Sequence, residues 1–179
     1  EKYPVIIRTV NITMEKRENT SIEESNLDKI GSAEDHAAKQ AAAELEAEWE
    51  GVGTDVGLKI WRVENKHEDG VANFGINAWP LKLYGQFYNG DSYIVLSTTT
   101  EEGEDTLLFD IYFWIGSESS QDEYGVVAYK ACELDELLSD AAIQHREVQF
   151  HESDQFLDLF QDRNLNMSIN YLDGGIDGG

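Results

Sequence analysis

The sequence predicts an α+β domain of four or five strands with helices inserted between hairpins, preceded by a helical extension. Three observations predict it. Two short apolar runs, near residues 92–96 and 107–114, have the length and composition of buried strands. After Gly116 the pattern switches to a period of 3.6, and an Ala-rich segment at 32–50 stands apart from both. The 179 residues suit one domain of ordinary size plus an extension, divided as 1–55 and 56–179. A globular chain of about 150 residues buries roughly 68–70% of its unfolded surface, so such a domain needs no disulfide or structural zinc.

Residues 1–31 carry one weak alternation, Val10, Ile12 and Met14, then a polar run from Glu15 to Asn26. Residues 32–50 read as a helix: Ser32 can cap it, Asp35 sits in the first turn, and alanine dominates. Ala38, Ala42, Leu45 and Trp49 fall on one narrow stripe suited to docking on another surface, and Gly51 and Gly53 end the helix. Leu58 to Val63 alternates as a strand, Lys66 to Gly75 reads as a long turn, and Trp79-Pro80 closes the next extended piece. Ser92-Tyr93-Ile94-Val95-Leu96 suits a central strand covered on both faces, with Leu107 to Trp114 as a second.

Ser120-Gln121-Asp122-Glu123 is a capping box, and the helix it opens runs to about Leu138. Val127, Ala131, Leu134 and Leu138 make one apolar face, for the sheet. Tyr129, Cys132 and Glu136 occupy another, left for a partner. Ile143 to Val148 is a short strand, Ser153 caps a short helix through Phe160, and Met167 to Tyr171 is a last strand.

With 36 Asp+Glu against 13 Lys+Arg, the formal net charge is −23. That balance argues against nucleic acid, whose phosphates require clustered Lys and Arg, and against an anionic membrane surface. It favours divalent cations, which take uncompensated carboxylates. No apolar run approaches the ~20 residues of a spanning helix. The opening residues are too quickly polar for a secretory signal, so an intracellular protein is expected.

The candidate chemistry is sparse. Cys132 is the lone cysteine, which excludes an intrachain disulfide and a paired-thiolate zinc site. His145 and His151 match neither His-Glu-x-x-His nor a zinc-ligand spacing, and half-exposed strand histidines are commoner than hydrolase ligands. Asp91 stands at the mouth of a central strand and Glu123 at the start of the long helix; a turn residue and a capping partner explain them unless the fold brings them together.

Four stretches form a specific succession: Gly57-Leu58-Lys59-Ile60-Trp61-Arg62-Val63-Glu64-Asn65; Tyr84-Gly85-Gln86-Phe87-Tyr88-Asn89-Gly90-Asp91-Ser92-Tyr93-Ile94-Val95-Leu96; Phe113-Trp114-Ile115-Gly116-Ser117-Glu118-Ser119-Ser120-Gln121-Asp122-Glu123; and Gln144-His145-Arg146-Glu147-Val148-Gln149. Spanning roughly residue 56 to the end, it resembles the first repeat of the gelsolin family. The helix leading into Gly57 resembles the short three-repeat members, severin and fragmin.

The resemblance implies a mixed central sheet sandwiched between the long helix and the short one. It implies a non-enzymatic, calcium-regulated module of the cytoplasmic actin cytoskeleton. Such a module binds actin monomers and caps the filament barbed end, and severs when further repeats are present. It implies an internal calcium site from the Gly90 carbonyl, the Asp91 and Glu123 side chains, and the Ile176 carbonyl. A second calcium, shared with actin, would use Asp135 and the carbonyls of Asp140 and Ala142. Actin itself would meet Gln121, Tyr129, Cys132 and Glu136 on the long helix.

Three departures stand out. The segment Lys66 to Asn77 is longer than the family's first hairpin, and Asp140 replaces a family glycine. The basic run that binds phosphoinositides in the family retains only Arg163, flanked by Asp162, which puts phosphoinositide binding in doubt. Two alternatives stand beside this reading: a calcium-independent, cofilin-type actin-monomer binder, and a metal-dependent hydrolase using His145 and His151.

Overall fold

The computed structural model describes residues 33–68, 71–101, 103, 105–161 and 168–175. The strand expected near residues 10–14, the Ser32 cap, the Ile176 carbonyl and the 162–167 part of the phosphoinositide segment lie outside the described residues.

Helix α1 (Ala33–Leu45) ends earlier than the composition suggests, and a single 3-10 turn, Ala47–Trp49, follows it. Extended backbone at Glu46 breaks the helical register between the two. Leu45, expected on the docking stripe, is therefore 86% exposed, and among the described residues of this segment Ala43 and Trp49 are buried.

Strands β1 (Gly57–Glu68) and β2 (Val71–Ala78) form a long antiparallel hairpin where a long turn was expected. Glu68 pairs with Val71, so Asp69-Gly70 alone joins the strands. Asp-Gly is a strong two-residue hairpin signal, because a type I′ turn needs φ > 0 at both central positions. The polar composition of residues 64–68 hid the strand, because ladder pairing is made by the backbone and leaves no mark in side-chain polarity.

Next come β3 (Gln86–Tyr88), β4 (Ser92–Thr100), β5 (Leu107–Ile115), helix α2 (Gln121–Leu137), β6 (Ala142–Val148), helix α3 (Asp154–Asp158) and β7 (Asn170–Leu172). The main sheet has the order β2-β1-β4-β5-β6. Its pairs are antiparallel except β5 with β6, which run parallel. Parallel neighbours need a crossover rather than a turn, and α2 supplies it. Short β3 and β7 pair in parallel as a separate two-stranded sheet.

The strand period of two divides the core into halves. Trp61, Val63, Ile94, Leu96 and Ile111 face one side, where Val127, Ala131 and Leu134 of α2 and its C-cap Leu138 cover them. Ile60, Tyr93, Val95, Tyr112 and Trp114 face the other, against Phe87, Phe156 and Phe160. The sheet is thus sandwiched between the long helix and the short one, as expected. Strand β4 is buried from Ser92 to Thr98, the double coverage its composition predicted.

Candidate functional site

Helix α2 organises the candidate site. Its N-terminus carries the full capping box: the Ser120 hydroxyl accepts from the Glu123 N–H, and the Glu123 carboxylate accepts from the Ser120 N–H at 2.8 Å. Glu123 is 1% exposed. Its Oε2 also accepts from the Ser119 hydroxyl, whereas its buried Oε1 has no hydrogen-bond partner. A buried carboxylate oxygen without a donor is costly, so a cap alone does not account for this side chain.

Asp91 lies fully buried at the entrance to β4. Its Oδ2 accepts from Arg62 Nη2 at 2.7 Å and from the Tyr93 hydroxyl at 3.4 Å. Burial holds the Tyr93 phenol well above its usual range, so it stays a donor. The Arg62 guanidinium lies over both the Trp79 and Tyr88 rings, 5.5 and 5.2 Å from their centroids. On the other oxygen, the chain near the C-terminus closes in. Gly90 N–H donates to the Gly174 carbonyl at 2.8 Å, and a Cβ at Gly175 would sit 2.6 Å from Asp91 Oδ1. Only glycine allows that approach. Gly90, Asp91 and the segment leading to Ile176 are thus adjacent. The orphaned Glu123 oxygen is an acceptor open to a hard cation such as calcium, which takes oxygen ligands.

At the far end of α2, the Asp135 carboxylate accepts from the Ala142 N–H at 3.1 Å and from Gln144 Nε2 at 2.8 Å. The Asp140 N–H donates to the Asp135 carbonyl at 2.9 Å. The structure therefore assembles Asp135, Asp140 and Ala142 around one turn, which Ser139 and Asp140 enter with φ of 61° and 56°.

Between these ends runs the outward face. Gln121 and Cys132 are exposed, and Tyr129 is 51% exposed. Cys132 Sγ lies 3.8 Å from the Gln144 Oε1 acceptor. On one flank Arg146 of β6 covers the Tyr124 ring. On the other lies α1, and here Glu136 departs from the expected open position: His36 Nδ1 meets its Oε1 at 2.8 Å. Lys130 reaches back from α2 to Glu46 at 2.8 Å and to Glu133 at 2.9 Å, and the Trp49 indole N–H donates to Glu133 Oε1. Burial pulls the Lys130 ammonium down, but these carboxylates outweigh it and its pKa rises.

Sequence reasoning missed Arg62, Glu133, Lys130 and His36. The i,i+3 spacing of Lys130 and Glu133 was the one available signal; the other contacts join distant segments. His145 is committed elsewhere: its Nε2 meets Asp110 Oδ1 at 2.7 Å, and its ring stacks on Tyr112 at 4.5 Å. Among the described residues neither His145 nor His151 belongs to a three-donor cluster, so the hydrolase site is not assembled there.

Residues 80–157 match the family described as Gelsolin repeat. Gelsolin-like protein 2 of Lumbricus terrestris is 47% identical over 156 residues, covering 87% of this chain and 39% of that protein. This is a gelsolin-family repeat. Severin of Echinococcus granulosus is 43% identical over 139 residues, 76% of this chain and 35% of its own length. Actin depolymerising venom protein gelsolin 1 of Platymeris rhadamanthus is 41% identical over 130 residues, 72% of this chain and 31% of its own. The chain thus spans about two fifths or less of each of these gelsolin-family relatives. The gelsolin repeat replaces the cofilin-type alternative.

Proposed function

We propose that the chain is a calcium-regulated actin-binding module: residues 56–179 are the gelsolin-like domain, and 1–55 an extension whose helix docks on it. The outward face of α2 meets actin, with Tyr129 and Cys132 at its apolar centre and Gln121 and Glu136 beside them. The observation that carries this reading is the division of labour on α2. Val127, Ala131, Leu134 and Leu138 are buried against the sheet, while Tyr129 on the same helix stays half exposed. Half-exposed aromatics on a rigid helix are typical interface anchors. The name of the Platymeris relative, an actin-depolymerising protein, supports the same partner.

Calcium would be held internally by the Asp91 and Glu123 carboxylates with the Gly90 and Ile176 carbonyls, supplying the positive charge the site is short of. Asp91 and Glu123 lie at the mouth of β4 and the first turn of α2, so the ion would tie the actin-facing helix to the sheet. Asp135, with the carbonyls of Asp140 and Ala142, would hold a second calcium against an actin carboxylate. Two acidic surfaces in contact repel at distances that physiological salt does not screen, and a shared divalent ion offsets that repulsion. Barbed-end capping, severing alongside further repeats, and residence in the cytoplasmic actin cytoskeleton follow from the same reading. Phosphoinositide release does not, because the expected segment holds one Arg.

Gel filtration with monomeric actin, in calcium and then in chelator, is the test. A complex in calcium that dissociates in chelator supports the reading. No complex in either condition refutes it, and an equal complex in both refutes the calcium control.

A further inference from the structure

We propose that His36, Glu136 and Asp140 form a site for a divalent transition metal of the zinc class, which clasps α1 onto the C-terminal end of α2. One donor atom from each residue lies within 4.8 Å of the other two. The three come from α1, from α2 and from the turn after it, so the site exists only when α1 is docked.

A plain His–Glu hydrogen bond is the competing explanation for the 2.8 Å contact. It does not account for Asp140. That residue brings a second carboxylate to the same point, from a left-handed turn that glycine enters at less cost. The clasp shares Glu136 with the proposed actin face and Asp140 with the proposed shared calcium site, but takes the Asp140 carboxylate rather than its carbonyl.

The donor chemistry selects the ion. An imidazole nitrogen favours zinc and its neighbours over calcium or magnesium, which take oxygen alone. Three protein donors leave a position for water, and Asp140 and His36 are exposed enough for an ion to enter. The backbone is set in advance: Ser139 N–H donates to the Glu136 carbonyl and Asp140 N–H to that of Asp135.

The probe is zinc chloride, titrated calorimetrically into the whole chain at saturating calcium and mildly alkaline pH, where imidazole is neutral. Loss of a ligand should weaken zinc binding at least about tenfold, the lower bound for removing even an outer-shell partner. H36Q and D140N should both show this loss, and C132S and H151Q should not. In parallel, zinc should slow amide exchange across residues 33–45 in the parent and leave H36Q unchanged, with equal melting temperatures in the metal-free proteins. The proposal is overturned if the parent binds no zinc, if H36Q binds as the parent does, or if C132S or H151Q is the variant that loses binding.

Discussion

Replacing Glu123 by Gln should have opposite consequences with and without calcium. In the parent, Oε2 receives the Ser120 N–H and the Ser119 hydroxyl, and the buried Oε1 receives nothing. A Gln side chain keeps an oxygen for both donors and puts a neutral amide where the charged oxygen without a donor stands. Leaving a buried polar group unsatisfied costs about 1–3 kcal/mol. Against that, an acidic residue in the first turn contributes about 0.3–1 kcal/mol through the helix dipole, which Gln forfeits. In chelator, Glu123→Gln should therefore match the parent or exceed it by up to about 2 kcal/mol. In calcium the order inverts. A ligand at one hundred times its Kd stabilises by about 2.7 kcal/mol, or roughly 5–11 °C in Tm for a domain of this size. The parent should gain that increment and the variant should not. Thermal unfolding followed by circular dichroism, in chelator and in calcium, gives all four values. A variant that loses several degrees in chelator and still gains the full calcium increment would refute both the orphan-oxygen argument and the internal site.

Other expectations follow from neighbouring contacts. Tyr129→Ala should weaken actin binding by about 2 kcal/mol, near thirtyfold, in a fluorescence titration while Tm barely moves; unchanged affinity would remove α2 from the interface. Asp135→Asn should reduce the calcium dependence of actin affinity without altering calcium stabilisation of the free domain, which paired actin and melting titrations separate. Lys130→Met should cost about 1–3 kcal/mol in urea denaturation, because it strips the ammonium from buried Glu133. His36 should titrate above 6.5 by NMR, since its hydrogen bond to Glu136 and the nearby carboxylate charges favour the imidazolium. Its contribution to α1 docking is then complete below 6.5 and is lost as pH rises through the folded value. Glu136→Gln should return the titration towards 6.5.

What the sequence made legible was whatever local pattern determines. The capping box at Ser120, the buried run of β4 and the sheet-facing stripe of α2 are each written within a few residues, and each stands where expected. The β1–β2 hairpin was misread because its far end carries Lys66, His67 and Glu68, whose polarity outweighed the Asp-Gly turn signal. Leu45 was misplaced because a helical wheel assumes an unbroken helix, and the change of backbone at Glu46 lies between Leu45 and Trp49. For the site, carboxylates could be nominated at Asp91 and Glu123, but their surroundings could not. Arg62 reaches Asp91 through the pairing of β1 with β4, which places it opposite Tyr93. No spacing in one dimension encodes that contact.

The docking of α1 also has a consequence for how the chain is made. Glu46 and Lys130 are 84 positions apart, as are Trp49 and Glu133. At about 5–20 residues per second, a ribosome needs roughly 4–17 s to synthesise the interval. A 13-residue helix in isolation is marginal even when rich in alanine. Once out of the exit tunnel, α1 therefore waits as a fluctuating coil until α2 emerges and settles on the sheet. Helix α1 thus docks only after an element synthesised far behind it, and a nascent chain stalled before Lys130 would carry it undocked.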